Sequence, residues 1–146
     1  MTLSLWVSTS EGDDMDLFVL LRKLDATGQE ACFSGPNGFA HDGLAKGWLR
    51  VSHRALDPKL SRPGRPWHTH RQPQPVQPDE VVAVEIEVLA SSTHFEAGSK
   101  LCVQVLGHDA ARYPAFAHDR SVNRGTHCIH TGGRYPSALL TPFVKR

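Results

Sequence analysis

The sequence predicts an all-β fold, an antiparallel β-sandwich, built as a single domain over residues 1–146. Three observations support this prediction: apolar residues recur with a period of two, turn residues separate the apolar segments, and no stretch has the period of an amphipathic helix of three turns. Strands that follow one another without intervening helices favour an antiparallel sandwich over βαβ units. A chain of this length hides roughly two thirds of its unfolded surface, which is enough for a core.

Seven segments are predicted as strands. The clearest is Glu80–Leu89, in which every second residue from Val82 to Val88 is β-branched and the intervening positions include Glu85 and Glu87. This alternation predicts that one face lies in the core and the other faces solvent. The other six predicted strands are Leu3–Ser8, Asp16–Leu24, Gly47–Arg54, Lys100–Leu106, Thr126–Thr131 and Ala138–Val144.

Some segments carry a more specific expectation. Asp16–Leu24 is almost continuously apolar, which is typical of a central strand. Trp6 and Trp48 lie within predicted strands, and we expect both in the core. A short helical turn is expected near Ala55–Leu60.

Residues 55–79 are predicted to form one long irregular crossover. The part from Pro58 to Pro78 holds six of the ten prolines, and proline removes a ladder donor and favours extended backbone. The segment is too long for a hairpin, whereas a crossover between sheets is what a Greek-key or jelly-roll topology requires. The alternative, a flexible linker between two half-domains, is less favoured because neither flank has enough strands for a separate core.

Composition and charge exclude several classes of function. Sixteen basic and fifteen acidic residues leave a net charge of +1, without the basic stripe expected of a protein that binds nucleic acid or an anionic membrane. The N-terminus lacks the pattern of a signal peptide, and no apolar stretch approaches the length of a membrane helix. Cys32, Cys102 and Cys128 have no paired spacing, so we expect three thiols in a reducing compartment, the cytoplasm.

The sequence predicts no catalytic residue, no metal site and no cofactor. The G-x-S-x-G signature of a serine nucleophile is absent, so whether the chain belongs to an enzyme stays open at this point. His68 and His70 form an H-x-H pair that could hold a metal, and Asp13, Asp14 and Asp16 could suggest calcium. The histidine pair lacks a third ligand at suitable spacing, and the aspartates lack the further oxygens of a calcium loop.

Several segments match the pattern of a known family in the same order. The first segment is Leu5–Phe18, which covers most of the first predicted strand and the beginning of the second, and the next is the strand Gly47–Arg54. The third is Pro78–Leu101, which contains the alternating valines and ends with the motif THFEAGSKL. The last is Asn123–Phe143. Together they cover nearly the whole chain. The sequence resembles the C-terminal jelly-roll domain of the X-Pro dipeptidyl-peptidase and cocaine-esterase (CocE/NonD) family of serine hydrolases.

The resemblance implies a galactose-binding-domain-like jelly roll that is not itself catalytic. In that family an α/β-hydrolase domain carries a Ser-Asp-His triad, and the jelly roll packs beside it. The expected partner is therefore such a catalytic domain, in the same or a separate chain. A homodimer is a further expectation, because an unpaired sheet edge beside the first strand, or the face meant for the absent domains, would favour self-association. The alternative for this edge is that Thr2–Val7 is itself a central strand and exposes no edge. The alternative to the accessory role is a free-standing module that binds carbohydrate or another small ligand.

The proline-rich crossover contains the residues that we expect at an interface or a pocket rim. Trp67 follows Pro66 and precedes the two histidines His68 and His70, and Arg65 is two positions before it. In a full-length relative such a crossover could lie against the hydrolase domain. Trp67, His68 and His70 are therefore the predicted contact residues.

Overall fold

The computed structural model describes residues 1–35, 42–109 and 122–144. Within these ranges there are eight strands and no α-helix, and all strand pairings are antiparallel. The strands are β1 (Thr2–Thr9), β2 (Asp16–Leu24), β3 (Glu30–Ala31), β4 (Ala45–Arg50), β5 (Val82–Glu87), β6 (Lys100–Leu106), β7 (His127–His130) and β8 (Ala138–Leu140). The predicted all-β sandwich is confirmed. No helix among the described residues is long and apolar enough to cross a membrane.

The first strand, β1, lies in the middle of the first sheet. β5 pairs with one edge of β1 from Thr2 to Val7. On the other edge, β8 pairs with Thr2–Ser4 and β7 pairs with Trp6–Thr9. Both edges of the first strand are therefore occupied, which agrees with the alternative that Thr2–Val7 is a central strand.

The second sheet is centred on β2, as its continuous apolar sequence predicted. β4 pairs with β2 along Asp16–Leu21, and β6 pairs with Phe18–Leu24 on the opposite edge. The short strand β3 pairs with Lys23 and Leu24, beyond the end of β4. β3 is two residues long, too short for a period-two pattern, so the sequence did not predict it.

The core lies between the two sheets and is built from the alternating apolar positions of the strands. Its residues are Leu3, Leu5 and Val7 of β1, Val82, Val84 and Ile86 of β5, Leu17, Val19 and Leu21 of β2, Ala45 and Leu49 of β4, and the neighbouring Met15, Val51, Val76 and Val88. Glu85 and Glu87 are exposed, so the predicted orientation of β5 is confirmed.

The strand predicted over Gly47–Arg54 ends earlier than expected. β4 stops at Arg50, and a 3₁₀ turn follows from Val51 to His53. The physical reason is the side chain of Asp14, which accepts hydrogen bonds from the backbone N–H of Ser52 at 2.8 Å and from its hydroxyl at 2.6 Å. A carboxylate that takes the N–H of Ser52 removes it from the sheet ladder.

Other elements also differ from the predicted ranges. The strands predicted over 80–89, 126–131 and 138–144 are shorter, at Val82–Glu87, His127–His130 and Ala138–Leu140. Trp6 is half-buried and not among the core residues, and Trp48 is 46% exposed, so the expected place of both in the core is wrong. Trp48 of β4 pairs with Phe18 of β2, and Phe18 pairs on its other side with Leu106 of β6. Paired residues share a face of the sheet, and the core residues of β2 are Leu17 and Val19 on either side of Phe18. Trp48 therefore lies on the outer face of the second sheet.

Three backbone hydrogen bonds join the second half of the proline-rich crossover to the sandwich. The N–H of Gln74 donates to the carbonyl of Ser52 at 2.7 Å, and the N–H of Val76 donates to Asp13 at 2.8 Å. The N–H of Asp79 donates to the carbonyl of Thr9 at 2.7 Å. Val76 is fully buried, so the last third of the crossover covers one end of the core.

Candidate functional site

The first part of the crossover folds back on itself between Leu56 and His68, and we call this part the crossover hairpin. Leu56 and His68 form a bridge at its base. At its tip Arg62 and Arg65 exchange backbone hydrogen bonds of 3.1 and 2.9 Å. Gly64, with a φ of 79°, supplies the positive φ that the turn between the arginines needs. The hairpin therefore presents its side chains from a backbone held by hydrogen bonds.

Trp67 is an exposed aromatic side chain on this hairpin, with 43% of its surface accessible. Its backbone is held on both sides, because its N–H donates to the hydroxyl of Ser61 at 3.0 Å and its carbonyl accepts from Asp57 at 2.8 Å. The guanidinium of Arg65 lies 5.4 Å from the ring centroid, within the range of a cation–π contact. Trp67 is thus fixed in place and still open to a partner.

The structure brings His68 and His70 together with a third histidine, His53. The Nδ1 atoms of His53 and His70 are 3.4 Å apart, and the ring centroids of His68 and His70 are 5.9 Å apart. His70 has a φ of 49°, in the left-handed region that non-glycine residues rarely adopt. The sequence did not predict His53 as a neighbour, because its position depends on how the crossover packs beside the 3₁₀ turn.

His68 lies half-buried against the outer side of β5. Burial lowers the pKa of its imidazole, and the backbone of Glu85 and the charges of Glu85 and Glu87 oppose this shift only partly. Its Nε2 atom is buried and has no hydrogen-bond partner among the described residues. Across the same residues no group of three or more histidine, cysteine, aspartate or glutamate side chains has an arrangement that could hold a metal ion.

Two of the three aspartates considered for calcium, Asp14 and Asp16, accept structural hydrogen bonds with their side chains. The carboxylate of Asp14 binds Ser52, as described above, and that of Asp16 accepts two hydrogen bonds from the guanidinium of Arg50, at 2.8 and 2.9 Å. Asp16 correspondingly raises the pKa of Arg50. The oxygens of these two side chains therefore already have protein donors.

The structure also places one serine hydroxyl next to an imidazole. The Oγ of Ser8 is 2.9 Å from Nε2 of His130, a distance that a nucleophile and its base would have. However, Ser8 is 6% exposed and lies in the central strand of the first sheet, where it pairs with Cys128 of β7. A substrate carbonyl has no approach to this hydroxyl, so we interpret the pair as a hydrogen bond between β1 and β7.

A large open groove lies at the end of the sandwich where β1 begins. It has a volume of about 690 Å³, and its walls come from Met1, from residues 91–95, from Leu101 and from residues 141–144. Two of its side chains are strongly exposed: Phe143 at 82% and Val144 at 93%. The sequence did not predict this groove, because its walls are far apart along the chain.

Lys23 holds one wall of the groove in position. Its ammonium group donates to the carbonyl of His94 at 2.9 Å and forms an ion pair with the carboxylate of Glu96. It also lies 5.6 Å from the ring centroid of Phe95. A side chain from the second sheet thus anchors a loop that otherwise has little regular structure.

The contact between Lys23 and Glu96 gives a pH-dependent prediction. The hydrogen bond from Lys23 lowers the pKa of Glu96 from 4.5 to about 2. The stabilisation is fully present above the unfolded-state pKa and is lost as the pH falls through the folded-state pKa. We therefore expect Glu96→Gln to lower the urea midpoint at pH 7, with the difference from the unmodified chain shrinking between about pH 4.5 and 2. Urea titrations at stepwise pH test this, and a difference that stays constant down to pH 2 would contradict it.

Comparison with known proteins identifies the family. The family model of the X-Pro dipeptidyl-peptidase C-terminal non-catalytic domain matches residues 1–140. The chain belongs to this family. The comparison with curated proteins gives no match.

Solved structures support the same assignment. Two crystal structures of a CocE/NonD family hydrolase from Staphylococcus aureus are 43% identical to this chain, with a TM-score of 0.88. The match covers 93% of this chain but 26% of the hydrolase chain. The chain thus corresponds to about a quarter of a larger hydrolase. The non-catalytic description agrees with the lack of a G-x-S-x-G motif in its sequence.

Proposed function

We propose that this chain supports the α/β-hydrolase domain of a CocE/NonD or X-Pro dipeptidyl-peptidase type of serine hydrolase and helps to form the wall of its substrate pocket. The observation that carries this proposal is the match to the non-catalytic C-terminal domain over residues 1–140, together with the partial coverage of the solved hydrolase. The catalytic triad, and the hydrolysis of ester or amide bonds, would belong to the partner domain.

The crossover hairpin is the surface that we propose for the interface or the pocket rim. Trp67 and Arg65 are residue types that often dominate binding energy at interfaces, and here they are in contact with each other. His68 and His70 add imidazoles beside them. Because the backbone of Trp67 is already hydrogen-bonded, little further conformational entropy is lost when a partner contacts its ring.

The proposal is tested with a chimera in which this chain replaces the C-terminal domain of the Staphylococcus aureus hydrolase. We expect the chimera to hydrolyse an activated ester faster, and to unfold at a higher temperature, than the hydrolase without any C-terminal domain. The isolated chain serves as the blank and should release no product. A chimera that is neither more active nor more stable than the truncated hydrolase would contradict the proposed function.

Within this chimera Trp67→Ala tests the role of the hairpin. Truncation of a central aromatic residue at an interface costs about 2 kcal/mol or more, so we expect a clear drop in the unfolding temperature or in kcat/KM. Trp48→Ala is the matched control, because Trp48 is 46% exposed and Trp67 is 43% exposed. Equal effects of the two substitutions would show that the hairpin has no special role.

The location of the protein and its other contacts are part of the same proposal. Cys32, Cys102 and Cys128 lack the paired spacing of a disulfide framework, and this supports a reducing compartment, which we propose to be the cytoplasm. The near-neutral charge supports a protein partner rather than nucleic acid or a membrane. A contribution to dimerisation is also proposed, and the sedimentation velocity of the chimera would report it.

A further inference from the structure

Positive charge is concentrated on the crossover hairpin. Residues 54–71, which are the hairpin and its two flanks, contain five arginine or lysine side chains and one carboxylate, a net charge of +4 (five minus one). The whole chain has a net charge of +1, so the other residues together carry −3 (1 minus 4). Four of the five basic side chains are exposed, namely Lys59, Arg62, Arg65 and Arg71. The hairpin is therefore a basic surface on a chain that is otherwise acidic.

The carboxylates of the chain leave this charge uncompensated. The carboxylate of Asp57 accepts hydrogen bonds from the backbone N–H groups of Lys59 and Leu60, at 2.8 and 3.2 Å, and so serves the turn. Within the described ranges no ion pair involves any of the four exposed basic side chains. By contrast, each basic residue of β2 and β4 is paired with a carboxylate: Arg22, Lys23, Lys46 and Arg50. Like charges gathered without a partner attract an anion from outside the chain.

Two guanidinium groups of the hairpin are held in position. Nη1 of Arg62 donates to the carbonyls of Lys59 and Ser61, at 2.8 and 2.7 Å. Arg65 lies over the ring of Trp67, as described above. A guanidinium has more N–H donors than these contacts use, and its fork matches the two oxygens of a carboxylate. A carboxylate that binds here therefore finds donors that are already positioned.

The surroundings of the hairpin limit the kind of anion. His68 lies close enough to Glu85 and Glu87 for their charges to act on its imidazole, and both carboxylates are exposed. A long polyanion would run onto these carboxylates and be repelled, whereas a short acidic segment avoids them. Apolar side chains lie among the basic ones, since Leu60 is 51% and Trp67 is 43% exposed. Carboxylates interspersed with apolar side chains, as in a peptide, match this pattern.

We propose that the crossover hairpin binds an acidic peptide segment, with its carboxylates on Lys59, Arg62 and Arg65 and an apolar side chain on the ring of Trp67. The inference deepens the proposed function and rests on it for one point, the place of the hairpin at the pocket rim. At that rim the peptide is the part of a substrate that extends beyond the pocket of the catalytic domain. The substrate class is then peptides with acidic residues away from the bond that is cleaved.

Fluorescence anisotropy of a labelled peptide tests the binding site on the purified chain. The probe is Glu-Glu-Leu-Glu-Glu, and the matched peptide has glutamine in place of every glutamate. We expect the acidic peptide to bind about tenfold more tightly than the matched one, because a charge-assisted hydrogen bond is stronger than a neutral one. Its binding should weaken about fivefold when NaCl is raised from about 50 mM to about 500 mM. Equal affinity of the two peptides would overturn the inference.

Charge reversal at one arginine tests where the peptide binds. Arg65→Glu should weaken peptide binding about tenfold, because it replaces an attraction with a repulsion. Arg134→Glu is the matched control, since Arg134 is also exposed and lies 4.9 Å from the ring centroid of Tyr135, outside the hairpin. Lys59→Glu is the second variant if Arg65→Glu does not fold, because the side chain of Lys59 forms no hydrogen bond among the described residues. If the reversals inside and outside the hairpin weaken binding equally, the hairpin is not the site.

The substrate class is tested in the chimera with an acidic and a neutral peptide anilide. We expect the ratio of their kcat/KM values, acidic over neutral, to fall with Arg65→Glu and to stay the same with Arg134→Glu. A ratio that neither substitution changes would contradict the role in substrate recognition.

The remaining outcomes separate the ligand classes and the two proposals. Tighter binding of single-stranded oligothymidylate or of phosphatidylserine vesicles than of the acidic peptide would show that the ligand is not a peptide. An active and stabilised chimera whose C-terminal chain does not bind the peptide would overturn this inference alone. A chain that binds the peptide in an inactive, unstabilised chimera would overturn the proposed function and the substrate role, but not the peptide site.

Discussion

Replacing Ile86 with alanine is expected to lower the free energy of unfolding by about 2–5 kcal/mol. Ile86 is fully buried and lies in β5, whose apolar face meets the core between the two sheets. The substitution removes three carbon atoms from this core and leaves a cavity that the paired strands β1 and β5 can close only in part. Thermal or urea unfolding of the purified chain measures the loss.

Glu87→Ala is the control for this experiment. Glu87 is the next residue of β5 but points outward and is exposed, so its substitution should change the free energy of unfolding by less than about 0.5 kcal/mol. If Ile86→Ala is no more destabilising than Glu87→Ala, the assignment of the two faces of β5 is wrong.

Gly47→Ala is expected to destabilise the chain by about 1–3 kcal/mol or more, although alanine is a small residue. A Cβ atom at position 47 would lie 2.3 Å from the carbonyl oxygen of Glu87 and 3.2 Å from Cγ2 of Ile86. Both neighbours are in β5, so the clash is at the place where β4 of one sheet touches β5 of the other. Backbone of a paired strand cannot move aside as a flexible side chain would.

Gly132→Ala is the comparison that separates a steric clash from backbone strain. Gly132 has a φ of 76°, but a Cβ atom there would meet nothing within 4 Å. We expect its substitution to cost about 1–2 kcal/mol through the unfavourable φ alone. If Gly47→Ala unfolds at the same denaturant concentration as the unmodified chain, the two sheets are further apart at this point than the structure places them.

The strands that could be predicted from the sequence are those whose alternation is long enough to be recognised. β5 was predicted from its β-branched series, and β2 from its continuous apolar run; both lie in the sandwich as expected. The end of β4 could not be predicted, because it depends on the side chain of Asp14 reaching Ser52 across 38 positions of the sequence. The exposure of Trp48 was also missed, since alternation shows which residues share a face but not which face is covered.

In the candidate site, too, some residues could be predicted from the local sequence and others are brought in by tertiary packing. Trp67, His68 and His70 were selected from the composition of one local segment, and they do lie on one crossover. His53 comes beside them through tertiary packing, and Met1 and Phe143 meet at the groove from opposite ends of the chain. Contacts of this kind have no local pattern, so they become visible only when the strand pairings are known.

The central position of β1 has a consequence for synthesis. Thr2 pairs with Leu140, so the ribosome must add 138 further residues (140 minus 2) before this pair can form. At about 5–20 residues per second, translation leaves one edge of β1 without a partner for on the order of ten seconds. During that time its N–H and C=O groups can pair with other chains. The nascent domain therefore keeps an unpaired edge of β1 until its last strands emerge, and a chaperone would be of use throughout that time.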